Sequence, residues 1–277
     1  MWKIKEKDLD EFKITCRNRL SPEATVGFML GSIIYTSLIM LGVIYGLMKF
    51  GWSVYPSLLD ETIIKIELCL YSIQIIFLIV YLFPKARFKL QKLQAIVILL
   101  YALQLATIGF VTVVVSIIFG YSNDRVTLTY VALLLLGAFI IHILTTINTF
   151  KQASEGAFSK WENSVSFFSK TKDFLMIASI LYVLTLLILI YINNDYTMEQ
   201  IGWYSVLTLI LYAVAIGAAE FQLLVYCRFK FPSFYISWEE HKRERQKRLK
   251  MYEEKEKKKT KEKNKFCVEM RKDECLK

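Results

Sequence analysis

IIFLIVYLFPKARFKLQKLQAIVILL, residues 75–100, places Lys85, Arg87, Lys89 and Lys92 between two runs that carry no charge. Each run belongs to an apolar stretch that reaches the ~20 residues an α-helix needs to cross a hydrocarbon core of about 30 Å. Cations collect in the cytoplasmic loops of membrane proteins, so this gap reads as a loop on the inner side.

Working outward, six apolar stretches qualify as spans, at residues 26–49, 62–83, 95–119, 126–147, 174–192 and 201–228. Ahead of the first stand Lys3, Lys5, Lys7, Lys13, Arg17 and Arg19, whereas residues 50–61 hold no cation and the third gap offers only Arg125. Lys151, Lys160, Lys170 and Lys172 fill the fourth gap, residues 193–200 again have none, and the tail is strongly basic. The alternation fits six spans with both termini in the cytoplasm. The expected protein is therefore all-α and integral to a cell membrane, with six transmembrane helices. It divides into a cytoplasmic amphipathic segment at 1–25, a transmembrane domain at 26–228 and a basic cytoplasmic tail at 229–277. The first apolar run has no small-residue cleavage site behind it and reads as a span rather than a removed signal peptide. A Lys-, Ile- and Tyr-rich composition suits an AT-rich bacterial genome.

The chain has a formal net charge of +10, and from Arg228 onward 18 Lys/Arg face 10 Asp/Glu. The excess is thus concentrated in the tail. Each cation near an anionic bilayer surface contributes about 1 kcal/mol of attraction. Anionic lipid headgroups are the expected partners of the tail, beside a membrane-protein partner or a second copy of the chain. No nucleic-acid motif accompanies the charge, and no nucleic acid is expected. Glu239/Arg243, Glu244/Arg248, Glu253/Lys257 and Glu254/Lys258 stand at i,i+4 in the favourable order, and Ser237 with Glu240 forms a capping-box pattern, so a charged helix is expected there.

Between charged residues near the N-terminus, Trp2, Leu9, Phe12, Cys16 and Leu20 recur at helical spacing. This pattern predicts an amphipathic helix on the inner membrane surface. Ser21 before Pro22 then caps a new helix that enters the membrane. Phe158, Trp161, Val165 and Phe168 predict a second interfacial helix within residues 148–173, and Phe231, Phe234, Tyr235 and Trp238 an aromatic belt at the inner headgroups. Pro22, Pro56, Pro84 and Pro232 all lie outside the spans, which should therefore be unbroken.

The first span carries Gly27, Gly31, Gly42 and Gly46, which fall within about 100° of one another around the helix. Such a face lets another backbone approach, either inside the bundle or in a homodimer. Ala213 and Gly217 are a smaller version on the sixth span. Ionisable groups inside a bilayer are functional candidates. Counted from the inner boundaries, Gln74, Gln104, His142 and Glu220 lie at similar depths, roughly 8 to 13 Å, on four different helices. That polar layer either fixes helix rotation by hydrogen bonds or lets a Glu/His pair take up a proton or cation. Lys65 and Glu67 sit near the outer end of their span and are expected to snorkel or pair locally.

Enzyme chemistry has little foothold. HExxH is absent, and the two histidines, His142 and His241, belong to a span and to the tail. Ser72, Ser116 and Ser179 lack the surroundings of a nucleophile. Cys16, Cys69, Cys227, Cys267 and Cys275 fall in the cytoplasm or the bilayer, which argues against a disulfide, and no pair has metal-ligand spacing. Cys227 reads as a buried small hydrophobe or an acylation site. No catalytic residue, cofactor or metal is expected. The function expected is a non-enzymatic one based on contact with membrane proteins or lipids, as in an accessory subunit of an export system or a toxin-immunity protein; the alternative is a small transporter or channel using Glu220 and His142.

Overall fold

The computed structural model describes residues 3–55, 57–114, 125–159, 167–193, 198–243 and 246. These are overwhelmingly helical, with no strand among them. The elements are α1 (Asp10–Arg17), α2 (Pro22–Phe50), α3 (Leu58–Leu82), α4 (Pro84–Lys89), α5 (Gln91–Val114), α6 (Arg125–Glu155), α7 (Phe167–Asn193) and α8 (Met198–Lys230). By length and composition α2, α3, α5, α6 and α8 can each cross a membrane. In the described part of the fifth expected span, the apolar helix Met176–Leu189 is shorter. Leu38 and Leu209, on α2 and α8, are 72% and 73% exposed, and many other large apolar side chains face outward with them. Surfaces of that kind suit lipid rather than water.

Local chemistry sets the helix boundaries. Ser21 Oγ accepts from the Ala24 amide at 3.2 Å, and Pro22 occupies the first turn of α2. Ser57 caps α3 in the same way through the Asp60 amide, at 3.0 Å. Pro84 opens α4, and Gly51, at φ 67°, ends α2 in a left-handed conformation that side chains other than glycine resist. From Ile236 onward the described residues belong to a second compact unit. Within it, residues 238–243 are helical and Ser237 Oγ accepts from the Glu240 amide at 3.1 Å, while the charged stretch from 247 onward lies outside the described residues.

In the first unit, α2, α3 and α5 pack on one another, α6, α7 and α8 do likewise, and α5 against α8 joins the two groups. Polar side chains tie the helices together inside each group. Ser37 and Tyr71 hydroxyls are 2.7 Å apart, Tyr101 donates to the Gln74 carbonyl at 2.5 Å, and Tyr182 donates to the Leu133 carbonyl at 2.9 Å.

Two expectations are corrected here. The apolar face of α1 does not lie on lipid: Leu9, Phe12, Cys16 and Leu20 are buried in a cluster with Ala153, Leu223, Leu224 and Cys227. Trp2 lies outside the described residues. Phe234 belongs to that same cluster, with its ring 6.2 Å from Phe12, so part of the expected aromatic belt is core. The second interfacial helix expected within residues 148–173 lies largely outside the described residues; with no Gly or Pro between residues 148 and 155, α6 itself continues to Glu155, and the Phe158 ring lies tilted 5.8 Å from that of Phe12. Trp161 and Val165 lie outside the described residues, and Phe168 falls in α7.

The close helix approaches are also placed differently. A Cβ at Gly27 or Gly31 would meet nothing within 4 Å, and one at Gly46 only the Tyr55 hydroxyl at 4.0 Å. Gly42 is half-buried. Tight contact occurs instead at Gly109, where a Cβ would overlap Leu207, and at Gly137, where it would overlap the Tyr212 hydroxyl and the Tyr182 ring. No element of the described chain packs on Gly27 and Gly31.

Candidate functional site

Chain geometry at the junction of α1 and α2 builds the site. After Arg17 the backbone turns, with the Leu20 amide donating to the Thr15 carbonyl at 3.1 Å, and Ser21–Pro22 starts α2 immediately. The turn projects Arg19 toward α8, where its guanidinium pairs with the Glu220 carboxylate. Beside it Arg228 is 2% exposed and donates to the Gln91 and Leu20 carbonyls, each at 3.0 Å. One arginine thus fastens the turn to α5 and α8, and the other fastens it to α8 alone.

Two cavities adjoin along the Arg19–Glu220 pair. The first, about 300 Å³, lies between α1, α6 and α8 and is lined by Glu11, Thr15, Thr145, Asn148, Thr149 and Gln152 among others. The α6 members recur at i, i+3, i+4 and i+7, so one face of its last turns is polar. The second, about 520 Å³, lies between α2, α5 and α8, and Phe28, Ile98, Ala102, Ala213 and Phe221 make it apolar. Arg19, Ile216, Gly217 and Glu220 border both. Ala213 and Gly217, expected at a helix contact, line this open space instead, and a Cβ at Gly217 would meet nothing within 4 Å.

The four residues of the expected layer do not form one constellation. His142 Nδ1 lies 2.8 Å from the Ala215 carbonyl, which can only accept, so Nδ1 carries the proton and Nε2 accepts from the Gln222 amide at 3.0 Å. Glu220 is engaged by Arg19, and no His142–Glu220 pair forms. Gln104 donates to the Glu67 carboxylate at 2.8 Å. Gln74 is fully buried, and neither atom of its side-chain amide has a hydrogen-bond partner among the described residues.

Glu67 is the second correction at this level. It does not snorkel: it is 7% exposed and joins α3 to α5. Lys65 does pair locally, with Glu61 at 2.6 Å. At the site's edge, burial pushes the Cys16 thiol up to about 12, with Arg228 opposing the shift. Cys227 is buried in the same cluster. Among the described residues no three His, Cys, Asp or Glu side chains converge as metal ligands would.

Sequence reasoning passed over Arg19, Arg228, Gln222 and the polar face Thr145–Gln152. The last was readable, as a polar i, i+3, i+4, i+7 series directly after an apolar run. Compared with protein-family models, curated proteins and solved structures, the chain matches none of them.

Proposed function

We propose that this chain is a six-span protein of a cell membrane, with both termini on the cytoplasmic side, acting without catalysis through contacts with other membrane proteins and lipids. An accessory subunit of an export system and an immunity protein against a membrane-active toxin are examples of such a role. Supporting this reading is one observation: the side chains best suited to intramembrane chemistry are each engaged in joining helices. Glu220 holds the α1–α2 turn, His142 holds α6 to α8, and Glu67 holds α3 to α5. A transporter using a Glu220–His142 pair would need the two groups in contact, and their hydrogen bonds lead elsewhere. The basic tail supplies the attraction to an anionic leaflet.

Affinity purification from the native host tests the proposal, with wild type, Glu220→Gln and a chain truncated before Ser237 compared in nanodiscs. A stoichiometric partner retained by Glu220→Gln and lost on truncation is the expected result. A partner-free protein whose ion or solute flux in liposomes vanishes with Glu220→Gln would overturn it.

A further inference from the structure

Together the two cavities have the shape and polarity of one membrane amphiphile. A chamber under α1, polar along its α6 wall, meets an apolar groove that runs along α8 to Ala213, about 25 Å before the end of that helix, with the Arg19–Glu220 pair, Ile216 and Gly217 on their shared border. A lipid has the same two parts, joined at the phosphate. We propose that this is a site for a single phospholipid whose headgroup carries a primary ammonium, with an acyl chain in the groove and the headgroup in the chamber.

Charge and hydrogen-bonding capacity select that headgroup. Arg19, 65% exposed in its side chain, has donors to spare for a phosphate beyond its bond to Glu220. The Glu11 carboxylate has no ion pair or side-chain hydrogen bond within the described residues, and neither do Asn148, Thr149 and Gln152. These acceptors face a chamber where a primary ammonium would present three donors. A quaternary ammonium has none to give them, and a purely anionic headgroup would bring negative charge against Glu11 and Glu220. Gly217 matters for room, since any larger side chain there would enter both cavities.

The proposal rests on membrane insertion and on the contact-based reading above, but not on any protein partner, so the two can fail separately. Native mass spectrometry of the full chain, purified from nanodiscs of equal parts phosphatidylethanolamine, phosphatidylcholine and phosphatidylglycerol with matched acyl chains, reads retained lipid directly. One ethanolamine lipid is expected per chain. Glu11→Gln, at an exposed position of α1, should reduce its preference over the choline lipid about tenfold, the loss of one charge-assisted hydrogen bond. Gly217→Leu should abolish retention of every lipid while Glu11→Gln keeps the groove occupied. Equal retention of all three headgroups by wild type, a preference untouched by Glu11→Gln, or retention unaltered by Gly217→Leu would each overturn the proposal. A wild-type chain that purifies without a protein partner, with lipid retention intact, would overturn the contact reading alone.

Discussion

Glu67 and Gln104 show how one hydrogen bond sets the cost of a buried charge. Both are buried, and the amide is the donor the carboxylate receives from α5. Gln104→Leu should destabilise the protein by about 1–3 kcal/mol, because it strands the carboxylate, and Glu67→Leu added to it should recover much of the loss. Thermal melts of the single and double variants in one detergent check both outcomes. Cys16 gives a prediction in pH. A thiol in the unfolded chain ionises near about 8.5, while in the folded chain Cys16 stays protonated up to about 12. Across that interval the unfolded state binds fewer protons than the folded one, so this residue makes the fold less stable as pH rises. Peptide-resolved alkylation at pH 8 should therefore leave Cys16 unmodified in the folded protein and modify it after denaturation. Helix membership was legible from residue number, and Gln74, Gln104, His142 and Glu220 lie on four helices. Rotation was not: Ala215 and Gln222, seven apart, share a face of α8 that Glu220 does not, and only knowledge of the neighbour says which face His142 meets. Glu67 was misplaced because α3 begins at Leu58, four residues before the apolar count suggests, its first turn being held by the Ser57 cap rather than by hydrophobicity.

At the level of elements, the glycines on α2 and those on α5 and α6 should respond in opposite ways. Gly137→Ala pushes a methyl into the Tyr212 hydroxyl and Tyr182 ring and should cost about 1–3 kcal/mol. Gly31→Ala meets open space and should stabilise α2 by up to about 1 kcal/mol through helix propensity. Melting temperatures of the two variants, measured side by side, decide the point. A GxxxG pattern announces that a helix can be approached closely without saying by what, whereas Gly109 and Gly137 stand alone in sequence and acquire meaning only from Leu207 and the two tyrosines opposite. The amphipathic pattern of α1 was equally legible and equally silent on its partner. An apolar face at an interface can rest on lipid or on protein, and here Leu223, Leu224 and Cys227 of α8 take the place of lipid.

For the whole molecule, the charge alternation makes a topology prediction that the fold alone does not. With the native cysteines replaced, a membrane-impermeant thiol reagent applied from outside should label Ser53→Cys in intact cells, and should label Lys89→Cys and Ser154→Cys only after the membrane is opened. The apolar helices, five of them long enough to cross a membrane, were legible because apolar length is a property of one segment at a time. The two-group packing of the bundle and the paired cavities were not, since they depend on contacts between distant segments. The Arg228–Leu20 and Arg19–Glu220 bonds make that dependence literal, joining residues 208 and 201 positions apart. A ribosome delivers Arg19 201 residues before Glu220, so α1 waits for α8 to be made before its binding surface exists. The apolar side of α1 is therefore covered in full only once α8 has been made.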